Sequence, residues 1–116
     1  MILLLTLLFL KHFIVDFPLQ KPYQWQNKGT YGHRGGILHS GLHGIGTLLI
    51  LVFFTEFELA LFLAMTDAIV HYHIDWAKMN LNKKFGYTPA DEKFWWLLGL
   101  DQLLHSLTYI LIAGVV

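Results

Sequence analysis

Asp67-Ala-Ile-Val-His71-Tyr-His73-Ile-Asp75-Trp-Ala-Lys78 is the stretch on which the reading of this chain turns. Steps of four return a side chain to the same helical face, so Asp67, His71 and Asp75 stack along one stripe of a helix. The same step recurs at His12/Asp16, His39/His43 and Asp101/His105, once in each of the other long apolar segments. Seven His and five Asp are present, for which chance placement gives about one such helical pair. The sequence holds five. Ionisable groups repeated on helical faces within apolar segments are the organising feature.

The surrounding composition says where such helices sit. Of 116 residues, 55% are hydrophobic and 14% charged, with a mean hydropathy of +0.50. A small soluble domain must wet more of its surface than that, so the expectation is one integral membrane domain over residues 1–116. Net charge is zero, which argues against nucleic acid as a partner. With no cysteine, any metal must be held by nitrogen and oxygen.

Four helices are expected, over about 1–17, 36–54, 57–78 and 93–116. The first is an apolar run that Pro18 ends, since the residue before proline resists helical geometry. A signal peptide fits it poorly, because no basic region precedes the run and no small-residue cleavage pattern follows. Residues 18–35 read as a polar connector with interfacial aromatics. Gly36, Ser40 and Gly44 form a small-residue stripe on the second helix that lets a neighbour approach closely. Ala90-Asp91-Glu92 suits the start of the fourth. The fold class is therefore an all-α, integral membrane four-helix bundle.

Orientation follows from the basic residues, which all lie in or beside the first and third connectors. The positive-inside rule puts those connectors in the cytoplasm and both termini on the non-cytoplasmic side, as for a bacterial inner-membrane protein. At 1.5 Å per residue the paired His and Asp then fall roughly 5–18 Å from the cytoplasmic end of their helices, so they can converge. Four unpaired ionised aspartates at that depth would cost about 10 kcal/mol together. A divalent metal offsets this better than scattered hydrogen bonds, and His with carboxylate suits zinc first, with iron or manganese also compatible. The candidate ligands are His12, Asp16, His39, His43, Asp67, His71, Asp75, Asp101 and His105. His73 points to another face, as an interfacial histidine. Gln20 and Gln102 serve as polar links between helices.

At these residues the chain also resembles a family. His12-x-x-x-Asp16-Phe17-x-Leu19-Gln20, His71-x-x-Ile74-Asp75-x-x-Lys78 and Leu100-Asp101-Gln102-x-x-His105 are similar to the bacterial and phage membrane proteins grouped as domain of unknown function 3307. More distantly, His33-Arg34-Gly35-x-x-x-His39-Ser40 resembles a signature of membrane-bound metal-dependent hydrolases related to zinc-dependent phospholipase C, with one residue more between Gly35 and His39. That second resemblance implies metal-assisted hydrolysis of a phosphoester.

The leading expectation is thus a metal-dependent hydrolase near the cytoplasmic face, acting on a phospholipid or isoprenoid phosphate. Asp67 or Asp16 would be the catalytic base. Lys11, Arg34 and Lys78 would hold the substrate phosphate, against a plainer role for the two lysines of snorkelling to the headgroups. A metal that only locks the bundle is the alternative, as is a proton or metal relay, although the polar track stops halfway along the second and third helices. A homo-oligomer is compatible with all three.

Overall fold

The computed structural model describes residues 1–116. All of its regular structure is helical: α1 (Ile2–Asp16), α2 (Pro22–Trp25), α3 (Arg34–Leu51), α4 (Phe57–Phe85) and α5 (Glu92–Val115). α1 stops at Phe17, one residue before Pro18. α2 is a single turn opened by Pro22, whose fixed φ suits a first helical position. The His33 ring caps α3 by accepting the Gly35 N–H at 2.9 Å. The end expected at Phe54 is instead Leu51, because i→i−3 bonds from Phe53 and Phe54 tighten the chain into a turn. α4 runs seven residues past Lys78, since nothing in Met79–Phe85 breaks a helix. Its stop is Gly86, at φ +67, where the Tyr87 amide closes back on the Asn82 carbonyl at 2.9 Å.

The four long helices close into a ring in which the backbones of α1 and α4 each pack beside α3 and α5, while the diagonal pair α1 and α4 meets only through side chains such as Lys11 and Asp67. Neighbours run antiparallel. Asp16 of α1 meets His39 and His43 of α3, and Leu4 and Leu8 share a cluster with Leu51. Asp75 of α4 meets His105 of α5, and Ala60 clusters with Ile112. Both termini therefore lie at one end and the connectors 17–33 and 86–91 at the other. Glycines permit the closest approaches: a Cβ on Gly44 would sit 2.9 Å from the Ala68 Cβ and 3.2 Å from the Ala64 carbonyl oxygen. On Gly35 it would collide with the Tyr23 carbonyl, so the connector lies directly on the start of α3.

The interior is divided lengthwise. At the terminal end it is a core of Leu4, Leu8, Leu51, Ala60, Leu63, Ile112 and Ala113, closed by Tyr109. Towards the connectors it is polar, and over the whole chain buried polar or charged residues number 14 against 10 hydrophobic ones. The outer surface is the reverse, with Ile2, Leu3, Phe53, Phe62 and Leu111 all more than 60% exposed. α4 and α5 are each long and apolar enough to cross a membrane.

Candidate metal centre

The connector end of the interior gathers side chains from all four long helices. α1 supplies Lys11, His12 and Asp16; α3 supplies His39, His43 and Thr47; α4 supplies Asp67, His71 and Asp75; α5 supplies Asp101 and His105, and all are buried. The four-residue spacing accounts for this, because it sends successive polar groups of each helix to the same inward face. Three imidazoles stack through the middle, His43 on His71 at 3.6 Å and His71 on His105 at 4.0 Å between centroids. Two groups could hold a metal ion: Asp16, His39, His43 and His71, and His71, Asp75 and His105, with the candidate ligand atoms of each lying within 4.8 Å of one another.

Hydrogen bonds decide which nitrogens have a lone pair to offer. The Gln24 amide donates to the Leu19 carbonyl and turns its Oε1 towards His39 Nδ1, at 3.3 Å. His39 therefore carries its proton on Nδ1 and presents a bare Nε2 to the centre. His43 is the opposite case. Lys11 donates to its Nδ1 at 3.2 Å, so its Nε2 holds the proton and gives it to Asp16 Oδ1 at 2.8 Å. His12 is engaged at both nitrogens. Nδ1 accepts from the Tyr109 hydroxyl at 2.8 Å, and Nε2 faces Gln102 Oε1 at 3.1 Å and Asp16 Oδ2 at 3.0 Å.

His39 Nε2 and His71 Nε2 each face two carboxylate oxygens, Asp16 Oδ1 and Asp75 Oδ2, which belong to the two candidate groups that share His71. Asp16 Oδ1 lies 3.1 Å from His39 and 3.8 Å from His71, and the two Nε2 atoms are 3.2 Å apart. Asp75 Oδ2 is 3.4 Å from His39 and 3.2 Å from His71. A tetrahedral ion with bonds of about 2.0–2.2 Å needs ligands about 3.3–3.6 Å apart, and these separations bracket that range. The 2.8 Å between His43 and Asp16 is too short for two ligands on such an ion and right for a hydrogen bond. Asp75 Oδ2 and His71 Nδ1 are both buried with no hydrogen-bond partner. A carboxylate oxygen that accepts no hydrogen bond while facing two imidazole nitrogens and the Lys28 ammonium at 3.3 Å fits a cation.

The remaining acids are paired with lysines. Lys11 Nζ reaches Asp67 at 3.0 Å, together with Tyr109 and His43, which uses all three of its protons. It folds inwards and is buried. Thr47 donates to the same Asp67 oxygen at 2.5 Å, so Asp67 stands apart from the convergent atoms. Lys78 faces Asp101 at 3.6 Å. Lys28, from the connector, faces Asp75 at 3.3 Å and donates to Gln20 at 3.0 Å. Arg34 is exposed at the start of α3. His73 lies outside the cluster, against the Tyr31 hydroxyl at 3.0 Å. Sequence spacing missed Gln24 and Lys28, which have no four-apart acidic or imidazole partner, and Tyr109, which stands four residues after His105 but is itself neither acid nor imidazole. For Lys28 and Gln24 the one available signal is their place in a connector long enough to fold over the helix ends.

The fold and site define an all-helical chain built around a buried His/Asp centre able to hold a cation. The chain belongs to the family described as protein of unknown function (DUF3307), whose model matches residues 4–116. No curated protein and no solved structure matches it.

Proposed function

We propose that this chain is an integral membrane metalloprotein in which α1, α3, α4 and α5 cross the bilayer as a bundle. One divalent cation sits among Asp16, His39, His71 and Asp75. The inverted polarity supports the membrane reading: a soluble fold buries its large apolar residues, whereas here they face outwards and the charges face in. The span lengths of α4 and α5 agree with it. α1 covers only about 22 Å at 1.5 Å per residue, and exposed Phe17 and Leu19 extend its apolar surface beyond the helix end. The basic residues of both connectors support a cytoplasmic position for that end, in a bacterial inner membrane, with both termini outside.

The observation that carries the metal is the five separations of 3.1–3.8 Å that tie the His39 and His71 nitrogens to each other and to the Asp16 and Asp75 carboxylates, from three helices. Zinc suits this mixed nitrogen and oxygen set best, and iron or manganese would accept the same donors with added ligands. His12 and His43 then act as donors that hold the Asp16 carboxylate in place, an arrangement that raises metal affinity in known sites.

The reaction we assign is hydrolysis of a phosphoester in a lipid or its headgroup. A bound divalent cation supplies Lewis acidity and makes an attacking water more acidic. Asp101 Oδ1 is the proton acceptor we assign, being buried, without a hydrogen-bond partner and 3.6 Å from His105 Nε2. Asp16 is committed to its imidazoles and Asp67 to Lys11 and Thr47, which weighs against either as base. A locking role for the cation is the second reading, and the near-complete burial of the centre favours it. Metal-loaded protein incubated with phospholipids and isoprenoid phosphates separates the two. Hydrolysis that is lost in Asp101→Asn with metal content unchanged supports the enzyme; an intact panel leaves the locking role.

A further inference from the structure

A cavity of about 450 Å³ opens between the first connector, the end of α4 and the start of α5, lined by Trp25, Lys28, Lys78, Asn82, Tyr87 and Phe94 among others. Its size is that of a small-molecule site. Its two cationic walls are the lysines that face the centre, Lys28 at 3.3 Å from Asp75 Oδ2 and Lys78 at 3.6 Å from Asp101 Oδ2. Both side chains are nearly buried, at 10% and 13% exposure.

Charge accounting gives this cavity a ligand. Four ionised aspartates face three lysines inside the bundle, with Asp16 the acid that no lysine touches. With the imidazoles neutral, as metal ligation requires of His39 and His71, the interior carries one net negative charge. A divalent cation turns that into one net positive charge, and it claims Asp75 Oδ2, the atom that Lys28 faces. Lys28 is left beside the cavity without its counter-charge, where an uncompensated buried charge is unfavourable. One monoanion in the cavity restores neutrality.

Resting on the metal reading above, we infer that the cavity binds a phosphate oxyanion between Lys28 and Lys78, and that the site becomes competent when the cation is bound. Two ammonium groups on separate elements, each with freely rotating donors, suit the divergent oxygens of a phosphate better than one flat carboxylate. Trp25, Tyr87 and Phe94 leave room beside it for the apolar part of an ester. The anion could belong to a lipid headgroup or to a free phosphate.

The test is calorimetry on the full chain in detergent, metal-free and zinc-loaded, with metal content measured first on each sample. The probes are inorganic phosphate, dimethyl phosphate, a short-chain phosphatidylglycerol, neutral trimethyl phosphate and acetate. The anionic phosphates should bind the zinc-loaded protein about tenfold or more tightly than the metal-free protein, a usual size for coupling between sites. Trimethyl phosphate and acetate should bind neither. Tighter binding of phosphatidylglycerol than of inorganic phosphate identifies the lipid as the source, and the reverse order identifies the free ion. Lys78→Gln should weaken binding about tenfold and Lys78→Arg should restore most of it. The neutral pair Lys78→Gln with Asp101→Asn guards against a folding defect and should bind as weakly as Lys78→Gln. A full zinc complement with no anion binding, binding that ignores zinc, or binding unchanged in both Lys78 variants overturns this inference alone. Protein that takes up no zinc overturns the reading beneath it.

Discussion

The two halves of the interior are held by opposite means. Near the termini, Leu4, Leu8, Leu51, Leu63 and Ile112 fill the space between helices by dispersion and shape. Near the connectors nothing comparable fills the centre, and the helices are joined by Lys11–Asp67, Lys28–Asp75, Lys78–Asp101 and the imidazoles around Asp16. The apolar half tolerates imperfect partners at modest cost. The polar half does not, because each unpaired charge there meets neither water nor a counter-ion. On the membrane reading proposed above, such groups are retained where they have work to do, which gives function to the connector half and support to the other.

Substitutions can break or sharpen this contrast. The largest loss of stability is expected for Lys11→Met, which strands Asp67 beneath Thr47. Removing one partner of a buried ion pair costs about 3–5 kcal/mol, to be read by denaturant titration in detergent, and the double variant Lys11→Met with Asp67→Asn should recover much of it. Leu8→Ala, at a fully buried position of the apolar half, should cost about 2–3 kcal/mol through the cavity it leaves without altering metal content. Gly44→Val forces α3 away from Ala64 and Ala68 and should cost about 1–3 kcal/mol as overpacking. His73→Ala, exposed and outside the cluster, should change stability by less than about 0.5 kcal/mol and leave bound metal unchanged. A comparable loss from Leu8→Ala and Lys11→Met, or metal loss in Leu8→Ala, would erase the distinction between the halves.

Much of this was legible in the sequence because helical periodicity is a strong local signal. Asp67, His71 and Asp75 recur on one face whatever surrounds them, and the small residues of α3 mark where α4 comes close. What depends on contact between distant segments was not legible. The reach of Lys11 into the interior is set by Asp67 and Tyr109 on two other helices. The proton position on His39 is set by Gln24 in a connector, and so is the counter-charge that Lys28 gives to Asp75. The choice among nine spaced candidate ligands likewise needs the hydrogen-bond partner of each ring nitrogen, which no spacing reveals. The end of α4 lies beyond the expected one for a simpler reason: Lys78 closes the polar motif, but a helix continues until its backbone is stopped, and that happens at Gly86.

The most direct measurement is the metal content of the detergent-purified protein by elemental analysis, wild type beside His39→Ala, His71→Ala and His12→Gln. One divalent ion per chain in the wild type, lost in the first two variants and largely kept in the third, is the predicted result. A wild-type protein free of metal after zinc loading, or equal retention in His71→Ala, would contradict a cation held by Asp16, His39, His71 and Asp75.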